Sequence, residues 1–303
     1  MTNRTSRELL ATAQNQLAAA GVQSPRVDAE LLMAHTLGVR RGQLVAHSDI
    51  SPAQETEFEA ILSRRVNREP LQHIIGQAWF RHLTLAVGPG AFVPRPETET
   101  LVELALREIA QRRSDSPQRS MRVVDLCTGS AAIPLALAIE AGSIEVYGVE
   151  VSPDALNWAN RNAISHDGAV RAAGSSLTLV EADATTASAV LPALHWSVDV
   201  LTCNPPYIPD GSIPRDREVR DFDPHIALFG GDDGLDMVRA VIDQAAQFLV
   251  SDGYLLIEHG DEQGVTGGES GVPWLLQSSG DFTQVRDHLD LAGRPRVTAA
   301  RRA

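Results

Sequence analysis

Four residues in the second half of the chain, Asn204-Pro205-Pro206-Tyr207, are of types that can hold a planar nitrogen group in place. The nitrogen of an amide or an exocyclic amine is a poor nucleophile because its lone pair is delocalised, so it must be held in line with the group that it attacks. The Asn204 side-chain oxygen and the Pro205 carbonyl can accept both N–H hydrogens. The two prolines fix the backbone, and Tyr207 can lie against the planar group. The motif therefore indicates transfer chemistry at a planar nitrogen.

Acidic residues stand at the ends of three strand-like segments: Asp125, Glu150 and Asp183. Glu150 comes roughly 20 residues after a turn of small residues, a spacing at which an acid typically accepts hydrogen bonds from ribose hydroxyls. No basic residue accompanies the three acids, which disfavours a cofactor that carries phosphate. A cationic nucleoside such as S-adenosylmethionine fits both observations.

These residues require a framework that brings strand ends together. Strand patterns occur at residues 122–126, 144–149, 177–180, 198–202 and 254–258. Helical patterns separate them, and a polar loop at 111–120 precedes the first. Strands that alternate with helices predict a mostly parallel sheet with helices on both faces. In such sheets ligands bind at the carboxyl ends of the strands, where the motif and the acids lie.

The first part of the chain has a different pattern, with helix start signals and apolar residues at helical spacing. Thr5 with Glu8, and Ser51 with Gln54, have the spacing of capping boxes, in which two side chains satisfy free backbone N–H groups. A strand-like segment with a Gly-Pro-Gly turn follows. We predict three parts: a helical docking domain (1–77), a linking β-hairpin (78–95) and an α/β domain (96–303).

Composition excludes several classes of protein. The chain has 303 residues and a formal charge of −13, and all 26 of its basic residues are arginine. Without lysine, a standard Walker P-loop, a standard protein kinase and Schiff-base catalysis are excluded. The negative charge argues against direct binding of nucleic acid. Any cationic docking surface must consist of arginine, and six arginines of the helical domain are the candidates: Arg26, Arg40, Arg41, Arg64, Arg65 and Arg68.

The sequence also predicts a cytoplasmic protein with no membrane partner. The first 21 residues lack the uninterrupted apolar stretch of a secretory signal, and the longest apolar run, 131–139, is far shorter than the roughly 20 residues that cross a bilayer. Two cysteines, Cys127 and Cys203, cannot form a disulfide framework. None of the nine histidines falls in a metal-binding motif, so we expect no metal.

Four segments, at residues 69–76, 92–99, 204–208 and 258–260, together resemble the HemK-type release factor glutamine methyltransferases. The resemblance covers nearly the whole chain and is weakest beyond Gly260. It implies a Rossmann-like class I methyltransferase domain with a mostly parallel, seven-stranded sheet. It also implies that S-adenosylmethionine methylates the side-chain amide of the glutamine in the Gly-Gly-Gln motif of class-1 peptide chain release factors.

The resemblance also implies roles for individual residues. Asn204, Pro205, Pro206 and Tyr207 would be the catalytic residues that hold the glutamine amide. Residues lining the pocket where this glutamine enters would be Phe92, Arg95 and Pro96. The residues that would bind the cofactor are Cys127, Thr128, Gly129, Ser130, Ala131, Glu150, Asp183, Ala184 and Asn204.

The chain departs from this family in its cofactor loop. Family members usually have Gly-Thr-Gly-Thr-Gly where this sequence has Cys127-Thr128-Gly129-Ser130-Ala131, so Cys127 and Ala131 carry Cβ atoms that the family lacks. Two alternatives stay open. In the first, the methyltransferase acts on another protein glutamine, as in a ribosomal protein, or on adenine N6. In the second, the altered cofactor loop no longer holds the cofactor and the protein is a non-catalytic binding protein.

Overall fold

The computed structural model describes residues 5–47, 49–115 and 119–303, which form two compact units. The first unit comprises Met1–Gln77 and Pro214–Phe222, and the second comprises Ala78–Ile213 and Asp223–Ala303. The α-helices are α1 (Ser6–Ala19), α2 (Pro25–Leu37), α3 (Pro52–Val66), α4 (Leu71–Ile75), α5 (Glu99–Asp115), α6 (Ala132–Ala141), α7 (Pro153–Ala172), α8 (Ala187–Val190), α9 (Arg217–Phe222), α10 (Asp236–Phe248) and α11 (Val272–Ser278).

The first unit is helical and consists of α1 to α4 together with α9. The capping boxes at Thr5 and Ser51 are confirmed, since each side chain accepts a hydrogen bond from the backbone N–H three residues on and the box is closed by Glu8 or Gln54. Apolar residues of α1 to α4 bury their side chains in one core, among them Phe58, which has no exposed surface.

Helix α9 is far along the chain from the other helices of the first unit, and partly buried ion pairs fix it there. The Glu218 carboxylate accepts hydrogen bonds from Arg65 Nη2 and from Arg68 Nε, each at 2.8 Å. Arg65 also donates to Asp28 at 2.7 Å and is 6% exposed. The prediction of a six-arginine docking surface is therefore wrong for Arg65 and Arg68, whose guanidinium groups are used inside this unit.

The second unit contains the strands. A two-stranded sheet consists of β1 (Gln77–Phe80) and β2 (Leu83–Ala86), within the segment predicted as a hairpin. The large sheet has seven strands in the order β5-β4-β3-β6-β7-β9-β8. Their bounds are β3 (Met121–Leu126), β4 (Ile144–Glu150), β5 (Ser176–Glu181), β6 (Val198–Cys203), β7 (Leu249–Glu258), β8 (Phe282–Leu289) and β9 (Pro295–Arg302).

Neighbours are parallel from β5 to β7, while β9 runs antiparallel to both β7 and β8. Successive residues of a strand face opposite sides of a sheet, so Val123 lies in one core cluster and Val124 in the other. Helices α5, α6 and α7 cover the first face, and α8, α10 and α11 cover the second. The predicted α/β fold with a mostly parallel, seven-stranded sheet is confirmed.

This arrangement brings the carboxyl ends of five parallel strands, β3 to β7, to one edge of the sheet. Helix α5 continues to Asp115, so part of the loop predicted at residues 111–120 is helical, and residues 116–118 of that loop lie outside the described residues. None of the helices in the described ranges has the length and apolar character that a membrane crossing requires.

Candidate active site

The loop after β3 contains three residues with left-handed backbone conformation, Cys127, Gly129 and Ala131, with φ of 59°, 58° and 67°. This conformation costs a residue with a Cβ atom about 1–2 kcal/mol. The three positions are those of the family's glycines, so the loop has glycine-like geometry even where Cys127 and Ala131 stand. A Cβ built on Gly129 would meet no atom within 4 Å, which leaves open space over the loop.

Asp125, near the end of β3 before this loop, binds the loop through a hydrogen bond with Thr128. Its carboxylate is completely buried and accepts hydrogen bonds from the hydroxyls of Thr128 (2.8 Å) and Thr202 (2.7 Å). Burial raises the pKa of Asp125 to about 7, although the two hydroxyl bonds lower it in part. Asp125 therefore differs from the other strand-end acids, because its carboxylate joins β3, β6 and the loop instead of facing a ligand.

Glu150 lies at the end of β4, beside the same loop. Its Oε2 accepts a hydrogen bond from the Gly129 backbone N–H at 2.7 Å, and its Oε1 accepts one from the Ser152 N–H at 2.9 Å. A charged carboxylate can accept about four hydrogen bonds, so two further donors can bind there. The backbone thus orients Glu150 and leaves it able to accept from a pair of hydroxyls.

The remaining predicted cofactor residues follow β5 and β3. Asp183 is exposed, and its Oδ1 accepts a hydrogen bond from the Thr185 N–H, which starts a short 3-10 helix. The next residue, Ala184, is the first residue of that helix and is buried in a core cluster. On the other side, the Ser130 carbonyl accepts a hydrogen bond from Asn162 of α7 at 2.9 Å. Sequence reasoning missed Asn162, because a single asparagine inside a helix has no distinguishing pattern.

The Asn204 carboxamide lies at the end of β6 with a defined orientation. Its Nδ2 donates to the Thr98 hydroxyl at 3.3 Å, and Thr98 belongs to the short 3-10 helix Pro96–Thr98. An amide that directs its nitrogen to one side presents its oxygen on the opposite side. Tyr207, three residues on, is largely buried, and burial and the nearby Glu258 raise the pKa of its hydroxyl above the ordinary value. Tyr207 therefore stays protonated at neutral pH.

A glycine-rich loop at residues 230–234 supports this motif. A Cβ on Gly230 would lie 2.4 Å from the Pro206 carbonyl oxygen, and one on Gly234 would lie 2.3 Å from that of Tyr207. Only glycine permits such close approach of two backbones. The sequence predicted a simple turn before α10, and the turn is present; its contact with the motif was missed, although the paired glycines were a visible signal.

The predicted substrate residues lie before the 3-10 helix Pro96–Thr98 and at its start. The Arg95 guanidinium stacks over the Phe92 ring, 4.9 Å from its centroid, and donates to Asp223 Oδ2 at 2.7 Å. The Asp223 side chain is fully buried, which raises the pKa of Asp223 to about 6 against the lowering by Arg95, and its Oδ1 has no hydrogen-bond partner. Pro96 is exposed at the start of the helix.

The Glu258-His259-Gly260 segment ends β7 beside Asn204. Glu258 is 2% exposed, and burial raises its pKa to about 7. His259 is completely buried, with Nε2 2.9 Å from the Thr298 hydroxyl and 3.3 Å from Asp287 Oδ1. Within residues 5–47, 49–115 and 119–303, no group of three or more His, Cys, Asp or Glu side chains could hold a metal ion.

Comparison with known proteins agrees with this geometry. Residues 8–76 match the model of the PrmC N-terminal domain family. The chain is 44% identical to the release factor glutamine methyltransferase of Mycolicibacterium smegmatis over 98% of this chain and 97% of that one, and 43% identical to that of Streptomyces coelicolor over 97% of each. The fold is also similar to that in a crystal structure of the hMettl16 catalytic domain in complex with a MAT2A 3′UTR hairpin. The match covers 72% of this chain and 75% of that one, with a TM-score of 0.50 and 15% identity.

The seven-stranded sheet, with its polar residues at the carboxyl ends of β3 to β7, has the fold of a class I methyltransferase. Many curated relatives that are 37–44% identical to the chain over nearly its full length are named release factor glutamine methyltransferase. The chain belongs to the release factor glutamine methyltransferase family.

Proposed function

We propose that the protein transfers the methyl group of S-adenosylmethionine to the side-chain amide nitrogen of the glutamine in the Gly-Gly-Gln motif of class-1 release factors. The observation that carries the proposal is the orientation of Asn204. Because its Nδ2 donates to Thr98, its Oδ1 would accept one hydrogen of an incoming amide, and the neighbouring Pro205 carbonyl would accept the other. The names of the relatives support the choice of a release factor as substrate.

The residues at the strand ends fit S-adenosylmethionine. Glu150, oriented by two backbone N–H groups, would accept hydrogen bonds from the ribose hydroxyls, and the open space over Gly129 would accommodate the methionine portion. The loop from Cys127 to Ala131 would lie under that portion, with Asp183 and Ala184 near the adenine. S-adenosylmethionine supplies a methyl group on a positively charged sulfur, which is a good leaving group.

The residues of the motif would act by orientation and electrostatics. Asn204 Oδ1 and the Pro205 carbonyl bind the amide more strongly as positive charge develops on its nitrogen, which lowers the barrier. Tyr207 lies against the planar amide and, being protonated, does not act as a base. The transfer has no covalent enzyme intermediate. The extra proton becomes acidic once the nitrogen is methylated, and it leaves through Asn204 or water.

The substrate side of the site has its own residues. Phe92, Arg95 and Pro96 would line the entrance for the glutamine, with Arg95 held by Phe92 and Asp223. The helical unit, predicted at residues 1–77, would dock the release factor. Since translation takes place in the cytoplasm, we place the protein there.

The substrate assignment is tested with labelled S-adenosylmethionine. We expect label to enter a class-1 release factor, and a Gln→Ala change in its Gly-Gly-Gln motif to abolish incorporation. Isolated ribosomal proteins and adenine-containing DNA and RNA, assayed alongside, test the alternative targets. Equal labelling of the two release factors would refute the assignment. Absence of calorimetric binding at millimolar S-adenosylmethionine would instead favour a non-catalytic binding protein.

The glycine-rich loop yields a further prediction. Gly230→Ala places a methyl group against the Pro206 carbonyl, so the motif has to shift; a displacement of about 1 Å at a reacting centre costs on the order of 100-fold in rate. We expect kcat for release factor methylation to fall by about 10- to 100-fold, while the Kd for S-adenosylmethionine changes little.

Gly211→Ala is the matched control. It lies in the same stretch of chain, and a Cβ built there meets no atom within 4 Å. Its kcat should equal that of the unmodified protein. If Gly230→Ala were equally active, the close approach to Pro206 would have no role in positioning the motif.

A further inference from the structure

Glu258 lies directly beside the motif, in a place that sequence reasoning left without a function. In the parallel pair β6 and β7, Cys203 is opposite Ile257, so the next residues, Asn204 and Glu258, emerge side by side at the same edge of the sheet. Glu258 is 2% exposed, and its Oε2 has no hydrogen-bond partner. A buried carboxylate with one oxygen left unpartnered is costly, which indicates a role other than stability.

The contacts of this carboxylate determine how Asn204 is oriented. The side chains of Thr98 and Asn204 lie against Glu258 and favour its charged form, and Asn204 Nδ2 donates to the Thr98 hydroxyl. A charged carboxylate can only accept hydrogen bonds, so it attracts the NH₂ end of a carboxamide and repels the oxygen end. With the NH₂ end held at Glu258 and Thr98, Oδ1 faces the opposite direction.

We propose that Glu258 is a positioning residue for methyl transfer: as a carboxylate it holds the NH₂ end of Asn204, so that Oδ1 is presented to the substrate amide. This inference rests on the proposed function. Protonated Glu258 can donate a hydrogen bond and would accept either orientation of Asn204. The charged form thus selects one of two otherwise similar orientations.

The state of Glu258 depends on groups from several elements. Burial raises its pKa to about 7, Arg296 of β9 lowers it and Glu97 of the 3-10 helix raises it. Tyr207 and Cys203 also face it, and burial raises the pKa of both, so they stay neutral over the range in which Glu258 titrates. The following residue, His259, directs its ring nitrogens to Gly260 and Thr298.

The pH dependence has a definite sign. As the pH falls through about 7, Glu258 takes up a proton and loses its selectivity for the NH₂ end of Asn204, so kcat should fall on the acid side. Asp125 titrates in the same range and Asp223 about one unit lower. The fall of kcat on the acid side of the pH profile is therefore assigned to Glu258 by substitution and not by its midpoint alone.

Glu258→Gln is the test variant, since Gln has nearly the same shape and no charge. At saturating S-adenosylmethionine we expect kcat at pH 8 to fall by about 10- to 100-fold, the acid limb in kcat to disappear, and the Kd for S-adenosylmethionine to stay the same. Glu181→Gln, an exposed acid at the end of β5, is the control and should retain both the rate and the acid limb.

A double-mutant cycle with Asn204→Ala separates positioning from a general structural role. If Glu258 acts through Asn204, Glu258→Gln causes no further loss of kcat in the Asn204→Ala background. Multiplicative losses, or an acid limb that persists in Glu258→Gln, would overturn the inference. Failure of the proposed function would differ, because the unmodified protein would then transfer no methyl group to the release factor. Thermal unfolding of each variant checks that it is folded.

Discussion

Asn204→Ala should lower kcat for release factor methylation by about 10²–10³-fold, comparable to the loss of one preorganised hydrogen-bonding group at a reacting centre. The substitution removes the Oδ1 acceptor that binds the amide as its nitrogen becomes positive. The main effect should be on kcat, because this interaction strengthens in the transition state. Single-turnover transfer of labelled methyl to a release factor at saturating cofactor measures it.

Two further variants sharpen this result. Asn160→Ala changes an exposed asparagine of α7 and should leave kcat unchanged. Asn204→Asp keeps an acceptor oxygen but brings a second charge beside the buried Glu258, so its activity should lie between those of Asn204→Ala and the unmodified protein. If Asn204→Ala transferred methyl at the normal rate, the proposed mechanism would be untenable.

Glu150→Ala should weaken S-adenosylmethionine binding by about 100-fold or more. Hydrogen bonds to a charged group contribute about 1.5–3 kcal/mol each, and the ribose would lose two of them. The substitution also leaves the N–H groups of Gly129 and Ser152 without their acceptor, which loosens the loop after β3. Isothermal titration calorimetry with S-adenosylmethionine measures the Kd directly.

Glu145→Ala provides the comparison for Glu150. It lies near the start of the same strand, is 38% exposed and pairs with Arg122, so the Kd should not change. Glu150→Gln retains one acceptor oxygen and should bind with intermediate affinity. A normal Kd for Glu150→Ala would place the ribose elsewhere and exclude the proposed cofactor position.

The core of the sheet was predictable because its signals are local. Apolar runs of strand length alternate with helical patterns from β3 to β7, and the candidate catalytic and cofactor-binding residues lie at or soon after the ends of these strands. The last two strands, β8 and β9, were not predicted from local patterns, since exposed residues such as Gln284 and Arg286 interrupt the apolar pattern of β8. Arg296, which faces Glu258, was missed with them.

Other features depend on contacts between residues far apart in sequence. The role of Asp125 follows from its bond to Thr202, 77 residues further along the chain, and no spacing rule distinguishes it from Glu150. Likewise, Arg65 and Arg68 appeared to be surface cations until their partner, Glu218, was found 150 or more residues away. Local sequence patterns predict the helices, the strands and the strand ends. Which residue a side chain binds can be identified only in the folded structure.

The placement of α9 also constrains how members of this family can exchange parts. The chain passes between its two units three times, at residues 77–78, 213–214 and 222–223. A chimera that takes residues 1–77 from this chain should also take residues 214–222 from it, because Arg65 and Arg68 pair with Glu218. Residues 214–222, which begin seven residues after Tyr207, thus belong structurally to the helical unit. Recombination at the 77–78 boundary alone would separate Arg65 and Arg68 from Glu218.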